Sequence, residues 1–419
     1  MATRENRPIL WKNRDVSNPN QEMRFFSGER FRFIANVYAG ETLDVWAGIN
    51  EVGFAIMNSN SYNLGGGGED RGGADDGTIM RLALGSCASV EDFERLLDSL
   101  NLVGRETPAN FGVFDNSGKA AIFEASHTFY TRYDADEESL GFLLRANFSM
   151  SGGPTRLLGK NRFERALQLC IPAVKERILS VEFIVRNLCR DLGQVGFDPY
   201  PLPFLSRVEP LPYGYLPTET TICRNLTRSV EIMVGPQPGK NPNTSMIWVL
   251  LGAPIATLPV PLWVKGGRVP NELDGDITAP ICDEAQRLRD YLYPLPEFPN
   301  AINTFRLTSW LEHIAPVESM IFNIVTYHES LWAESGPDSM SAARLSSEIC
   351  TLVLRTYQEF WDKIQPSHFP LTRFSTPTFT FTSSSSFFDV AGRKATPPIA
   401  DGVYFLYTEK QPLRVIILR

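Results

Sequence analysis

The sequence contains no CxxC pair, no HExxH and no GxSxG. A cysteine-rich zinc site, a thermolysin-type metal site and a nucleophile-elbow serine hydrolase therefore lose their usual signatures. Histidine is scarce, with only His127, His313, His328 and His368. Four residues so dispersed read as satisfied structural histidines rather than as a triad or a metal cluster. No uninterrupted apolar run is long enough to span a bilayer. The best stretch, Met246 to Leu262, is broken by Gly252, Pro254, Pro259 and Pro261 and reads as strand and turns. Positive charge is not concentrated anywhere. The net charge is -8 and the pI about 5.3, which argues against a nucleic-acid or anionic-membrane partner. Gly235 to Lys240 is one residue short of a phosphate loop, and Asn241 stands where magnesium would need Ser or Thr.

What is present is a chain of 419 residues, 43% hydrophobic, enough for a large core and more than one ordinary domain. Its six cysteines, Cys87, Cys170, Cys189, Cys223, Cys282 and Cys350, are too far apart for a disulfide framework and read as buried small hydrophobes. Met1 to Arg14 is polar and lacks the apolar core of a signal peptide. A reducing, cytoplasmic setting is the expectation for the chain as written; secretion or periplasmic export would require a signal upstream.

Strand and turn signals fill the first third. Strands are expected at Ile9 to Lys12, Phe31 to Tyr38, and Leu43 to Ala47 with Phe54 to Asn58. Further strands are expected at Asn110 to Phe114 and Ala120 to Ala125, joined by the turn Asp115-Asn116-Ser117-Gly118, and at Leu140 to Asn147. Gly65 to Gly77 reads as a glycine-rich surface loop, with a helix opening near Asp76. Ser89 caps a second helix whose apolar residues Val90, Phe93, Leu96, Leu97 and Leu100 recur at helical spacing. Helices follow at Arg162 to Ile171 and Val181 to Leu192. A long strand is expected over Thr220 to Val234, paired with Ser245 to Leu251. Blocks of strands and helices predict antiparallel sheets with segregated helices, an α+β fold. Beyond Pro270, helices are expected at Asp283 to Tyr293, Val317 to Trp332 and Ala342 to Ile364. Three regions result: a core of residues 1–270, a helical extension of 271–366, and a poorly patterned tail of 367–419.

Several ordered segments carry a resemblance. They are Arg7 to Asp15, Gly48 to Ala55 leading to Asn58-Ser59-Asn60, Asn110 to Glu124, Arg145 to Phe148, and Asn161 to Ala166, with the strand pair around Cys223-Arg224 and Trp248. Together they resemble the N-terminal-nucleophile (Ntn) hydrolases of linear amides, the choloylglycine hydrolase and isopenicillin N acyltransferase type. The resemblance implies a four-layer α/β/β/α sandwich of two antiparallel sheets. It also implies chemistry by an N-terminal cysteine whose thiolate forms an acyl-enzyme, with no metal and no cofactor.

By that resemblance Asp15 orients the nucleophile's amine or thiol. Lys12, where the bile-salt enzymes have Arg, supplies positive charge without the guanidinium fork. Asn60 matches an oxyanion-hole donor and Asn147 a second active-site Asn, while Arg165, or Arg162 one helical turn earlier, completes the polar network. Each has a plainer alternative as a turn, cap or surface residue. The nucleophile itself is missing: Met1 and Ala2 are inert, and Thr3 would be exposed only after losing two residues. A start placed too late, or a trimmed chain, is the favoured explanation; a catalytically inactive binding protein on the same fold is the alternative. The expected partner is a small-molecule acyl amide, with no nucleic acid or membrane, and a homo-oligomer is compatible.

Overall fold

The computed structural model describes residues 3–65, 72–275 and 277–364, together with strands between 386 and 418. Ile9–Asp15 (β1) opens the chain, and Gln21–Ser27 (β2), Arg32–Tyr38 (β3), Ala47–Asn50 (β4) and Ala55–Asn60 (β5) follow as antiparallel neighbours. Helices Asp76–Ser86 (α1) and Val90–Val103 (α2) lead to the meander Ala109–Phe114 (β6), Ala120–Ala125 (β7) and Tyr130–Asp134 (β8). Strands β2 to β8 form one seven-stranded antiparallel sheet in sequence order. Lys160–Lys175 (α3), the short turn Val181–Phe183 (α4) and one π-turn at Ile184–Leu188 come next. Tyr215–Pro217 (β9) precedes the pair Thr227–Val234 (β10) and Met246–Leu251 (β11), which Val260–Trp263 (β12) extends. The second sheet has the order β1-β10-β11-β12, so β1 is its edge strand. Pro280–Leu292 (α5), Ala301–Asn303 (β13, paired with β9), Thr304–Trp332 (α6) and Ser339–Ile364 (α7) complete a unit that runs to Lys363. A separate unit holds Ser386–Asp389 (β14), Lys394–Ala395 (β15), Gly402–Thr408 (β16) and Gln411–Leu418 (β17), in the order β15-β14-β16-β17.

Side-chain alternation stacks the layers. Trp11, Ile232 and Trp248 are cross-strand partners on one face of the small sheet, and Trp248 packs on Phe322 of α6 with ring centroids 5.3 Å apart. Ser346 and Tyr357 of α7 hydrogen-bond the Pro261 and Ala256 carbonyls. On the opposite face Leu10 meets the large sheet at Gly112, where an added Cβ would lie 3.0 Å from the Leu10 methyl. The far face of the large sheet is covered by α1 and α2 through a core that includes Phe33, Phe54, Phe93, Phe111 and Phe123. The result is the four-layer α/β/β/α arrangement of two antiparallel sheets, with helices added at the C-terminal end.

Several local expectations need correction. The first hairpin sits further along the chain: Leu43 to Val45 is loop, and the pairing begins at Ala47. Leu140 to Asn147 is not a strand. Its only ladder contact is the isolated Asn147–Leu158 bridge, because Arg145 is drawn into an ion pair with Glu124 instead. The long strand starts at Thr227 and not at Thr220, since Thr221 and Arg224 spend their side chains on local carbonyls. Helix α6 begins thirteen residues before Val317, capped by Asn303 and running through Pro316. In the tail, the stretch Thr376 to Ser385 lies outside the described residues, but β14 to β17 give the region a sheet.

Candidate active site

Strand β1 builds the site. Arg14 and Asp15 straddle a β-bulge against β10, which turns successive side chains in different directions. Arg14 is buried between the sheets, its guanidinium 4.4 Å from the Tyr38 ring centre and 4.6 Å from that of Trp46. Asp15 points the other way. It accepts from Thr227 Oγ1 at 2.7 Å and from Arg224 at 3.1 Å, and Arg162 lies 3.9 Å from it. Arg162 donates to Asn147 Oδ1 at 2.6 Å, and Asn147 Nδ2 reaches the Asn60 carbonyl at 3.3 Å. Burial pushes the Arg162 guanidinium below its ordinary pKa, with Asp15 opposing.

This cluster stands where two cavities meet. The larger, about 770 Å³, runs along β1 and has apolar walls that include Leu10, Trp11, Ile122, Phe142, Leu143 and Phe163. The smaller, about 500 Å³, is lined by charged and polar groups that include Lys160, Glu219, Thr220 and Arg224. Asp15, Tyr62, Asn147 and Arg162 border both. Among the described residues β1 has no strand on its outer side, so the larger cavity flanks a free sheet edge.

Lys12 points from β1 toward the large sheet. Its Nζ donates to the Trp46 carbonyl at 2.6 Å and to Asn58 Oδ1 at 2.5 Å, and Asn58 in turn donates to the Asp76 carboxylate. Burial, reinforced by the Arg14 cation, lowers the Lys12 pKa to about 7 despite the attraction of Glu231, Asp76 and Asp15. Lys12 is therefore only a part-time cation at neutral pH. In this group the unfolded chain holds more protons between about pH 7 and pH 10.5, so its contribution to stability rises with pH across that window. The slope is at most about 1.4 kcal/mol per pH unit. Unfolding free energies at pH 7 and pH 9.5 should therefore rise more for the wild type than for Lys12→Met. Equal changes in the two proteins would refute this.

The sequence-expected residues fall unevenly. Lys12, Asp15, Asn60 and Asn147 all line the larger cavity, with Asn60 at the end of β5 contributing its backbone carbonyl to Asn147. Arg165 does not reach it. Its guanidinium is buried in a two-pronged pair with Asp191, both contacts 2.9 Å, and Gln168 takes a further N–H. One turn earlier on α3, Arg162 lines both cavities. Arg224 and Thr227, which hold Asp15, and Asn58, Asp76 and Glu231, which surround Lys12, carried no assigned role in the sequence reading. Arg224 lay inside a recognised segment, so its charge was the available signal.

No internal thiol offers a substitute nucleophile. All six cysteines are buried and free. Burial raises Cys87 and Cys170 to about 11 and Cys189 to about 12, the reverse of an activated thiolate. Among the described residues no cluster of His, Cys, Asp and Glu could hold a metal ion, and no helix is long and apolar enough to cross a membrane.

The layered fold is the α/β/β/α arrangement that the resemblance to the Ntn amide hydrolases and acyltransferases implies. Residues 2–184 match the family model described as acyl-coenzyme A:6-aminopenicillanic acid acyl-transferase. Among solved structures it is similar to a variant of conjugated bile acid hydrolase from Clostridium perfringens, at 14% identity and a TM-score of 0.39, covering 65% of this chain and 93% of that one. Penicillin V acylase from Agrobacterium tumefaciens is 16% identical with a TM-score of 0.36, covering 65% and 85%. A Caenorhabditis elegans ortholog of N-acylethanolamine-hydrolyzing acid amidase is 13% identical with a TM-score of 0.34, covering 58% and 94%. No curated protein matches the chain.

Proposed function

We propose that this fold cleaves or transfers the acyl group of a linear amide through an acyl-enzyme on an N-terminal cysteine. That cysteine would sit on a strand laid along the free edge of β1. The observation that carries the reading is the position of Asp15, Asn147 and Arg162 at the boundary of an apolar and a polar cavity. An amide lying across that boundary places its acyl chain among Leu10, Phe142 and Leu143 and its amine half beside Arg224. Asp15, fixed by Thr227 and Arg224, would orient the nucleophile's amine. Asn147 and the Asn60 segment would face the developing oxyanion, where preorganised donors act most strongly. Arg162 would hold Asn147 in place. The polar junction needs no cofactor for this chemistry.

The test is a version of the chain extended by a leading strand that begins with Cys, challenged with a panel of acyl amides and examined by intact mass. An acyl adduct is expected, and Asp15→Ala should slow its formation by about 10²-fold, the usual cost of a misplaced reacting group. Absence of any adduct across the panel would overturn the proposal. A second reading, a binding protein without turnover, is favoured by the burial of every cysteine in the chain as it stands. Turnover of any amide by that chain would eliminate it.

A further inference from the structure

Strand β1 carries a row of backbone groups that its own sheet does not satisfy. The Gly235 N–H donates to the Pro8 carbonyl at 3.0 Å, which fixes the phase of the β1–β10 ladder. Bonded and non-bonded residues alternate in an antiparallel pair. Leu10, Lys12 and Arg14 therefore bond inward to Met233, Glu231 and Ser229, while Ile9, Trp11 and Asn13 turn their N–H and C=O groups outward. The same alternation, carried across the sheet, turns Pro261 of β12 outward, where a missing N–H costs no ladder bond. Among the described residues the outward groups of Ile9, Trp11 and Asn13 have no other partner. The larger cavity runs along this edge and is lined by every residue of β1. One wall is Met57 and Ile122 of the large sheet, the sheet that Lys12 faces. The Asn13 side chain projects the other way and donates to the Cys189 carbonyl, so Ile184 and Leu188 of the π-turn form the opposite wall. Both walls are apolar. The edge between them is also fixed in place: Arg7 ties its start to the Gly235 and Thr244 carbonyls, and Asn13 ties its end to those of Cys189 and Ile222.

We propose that the outer edge of β1 is a docking site for an extended apolar segment of a second polypeptide, which adds antiparallel as a further strand of the small sheet. The occupant follows from the chemistry of the edge. Alternating donors and acceptors at strand spacing are matched in full only by another extended backbone, whereas an acyl chain would leave them unpaired. Strand Ile9–Asp15 spans about 23 Å at the usual rise, so the segment has about six or seven residues. Its side chains would point alternately at the large sheet and at the π-turn. Both sets are therefore apolar, as in a strand buried on both faces and unlike a surface strand. Because the edge is already fixed, little ordering of this chain opposes docking. The docked strand shares this edge with the proposed reaction and requires no acyl transfer.

The experiment titrates the whole chain into a fluorescent, end-blocked peptide, acetyl-Glu-Val-Ile-Val-Leu-Val-Glu-amide, and follows anisotropy. The glutamates keep the peptide soluble, and a chain of net charge -8 does not attract them in bulk. Saturable binding is expected. The same peptide N-methylated at every apolar residue keeps its side chains but loses the N–H groups that face β1. It should bind about 10²-fold more weakly, the equivalent of about three hydrogen bonds. Trp11→Pro removes an outward N–H and no ladder bond, and should weaken the parent peptide by about tenfold. Hydrogen exchange at Ile9, Trp11 and Asn13 should slow when the parent peptide is bound, while Leu10, Lys12 and Arg14 are protected in its absence. No saturable binding, equal affinity for the N-methylated peptide, or unchanged exchange at Ile9, Trp11 and Asn13 would each overturn the proposal. The peptide comparison uses the unaltered chain, so it stands even if Trp11→Pro fails to fold. Every readout is independent of amide turnover, so a failure here and a failure of the proposed reaction remain distinct.

Discussion

Glu124→Ala is expected to cost about 3–5 kcal/mol of stability, the usual penalty for stripping one partner from a buried ion pair. Glu124 is fully buried on β7, and its carboxylate binds Arg145 Nε at 2.5 Å, the Met150 and Ser151 amides at 2.7 Å, and the Ser151 hydroxyl at 2.5 Å. Its removal leaves a guanidinium that is 6% exposed without a counter-charge and two amides without an acceptor. The same contacts fasten the segment that carries Asn147, so the loss should extend to the site. A lowered urea midpoint with unchanged slope is the expected readout. Glu124→Gln, which keeps one acceptor oxygen, should fall between wild type and Glu124→Ala. A loss below about 1 kcal/mol for Glu124→Ala would mean that water replaces the carboxylate and that the burial argument is wrong.

Glu318→Ala should be comparably severe, at about 3–5 kcal/mol. Glu318 of α6 pairs at 2.6 Å with Arg190, and both side chains are nearly inaccessible. Arg190 also donates to the Pro254 and Thr257 carbonyls, each at 2.7 Å. One guanidinium thus ties the long helix to the turn between β11 and β12. The pair holds Arg190 firmly charged, its pKa raised by Glu318 in spite of desolvation, so the single variant strands a cation in the interior. The double variant Arg190→Met with Glu318→Met removes both charges and should recover most of the loss. A double-mutant cycle reads this directly. Additive losses would show that the two residues do not depend on one another.

The comparison between sequence and structure follows where each element draws its stability. Helix α2 was legible because its signals are local: Ser89 and Asp92 form a capping box, and the apolar stripe keeps helical spacing. The turn Asp115 to Gly118 was legible for the same reason, as Asp115 accepts from Ser117. Strand β2 was not. Gln21 and Glu22 are buried polar residues in it, and Glu22 is satisfied from afar by Arg24, Gly40 and Gly275. No window of sequence reports a partner 253 residues away. The tail strands Gly402–Thr408 and Gln411–Leu418 escaped because runs such as Val415-Ile416-Ile417-Leu418 do not alternate.

The site divides along the same line. The ordered resemblance picked out Asp15 and Asn147, and the structure brings both to the boundary of the two cavities. The choice between Arg162 and Arg165 could not be made from spacing, because residues three apart share a helix face. In the structure Arg162 borders the cavity, while Asp191, 26 residues beyond Arg165, pairs with Arg165. The character of Lys12 was equally hidden. It depends on burial against Trp46 and Asn58, reinforced by the Arg14 cation, contacts made between segments far apart in the chain.

One thermodynamic consequence follows from how the cavity is built. Its floor is strand, and its polar rim is already held by hydrogen bonds from Thr227, Arg224 and Arg162. A ligand would therefore meet side chains whose rotamers were fixed when the chain folded, and little ordering entropy would remain to oppose association. Contact with the apolar wall would register as a negative heat-capacity change. Recognition here would be governed by shape and desolvation, with affinity set mainly by how slowly the ligand leaves.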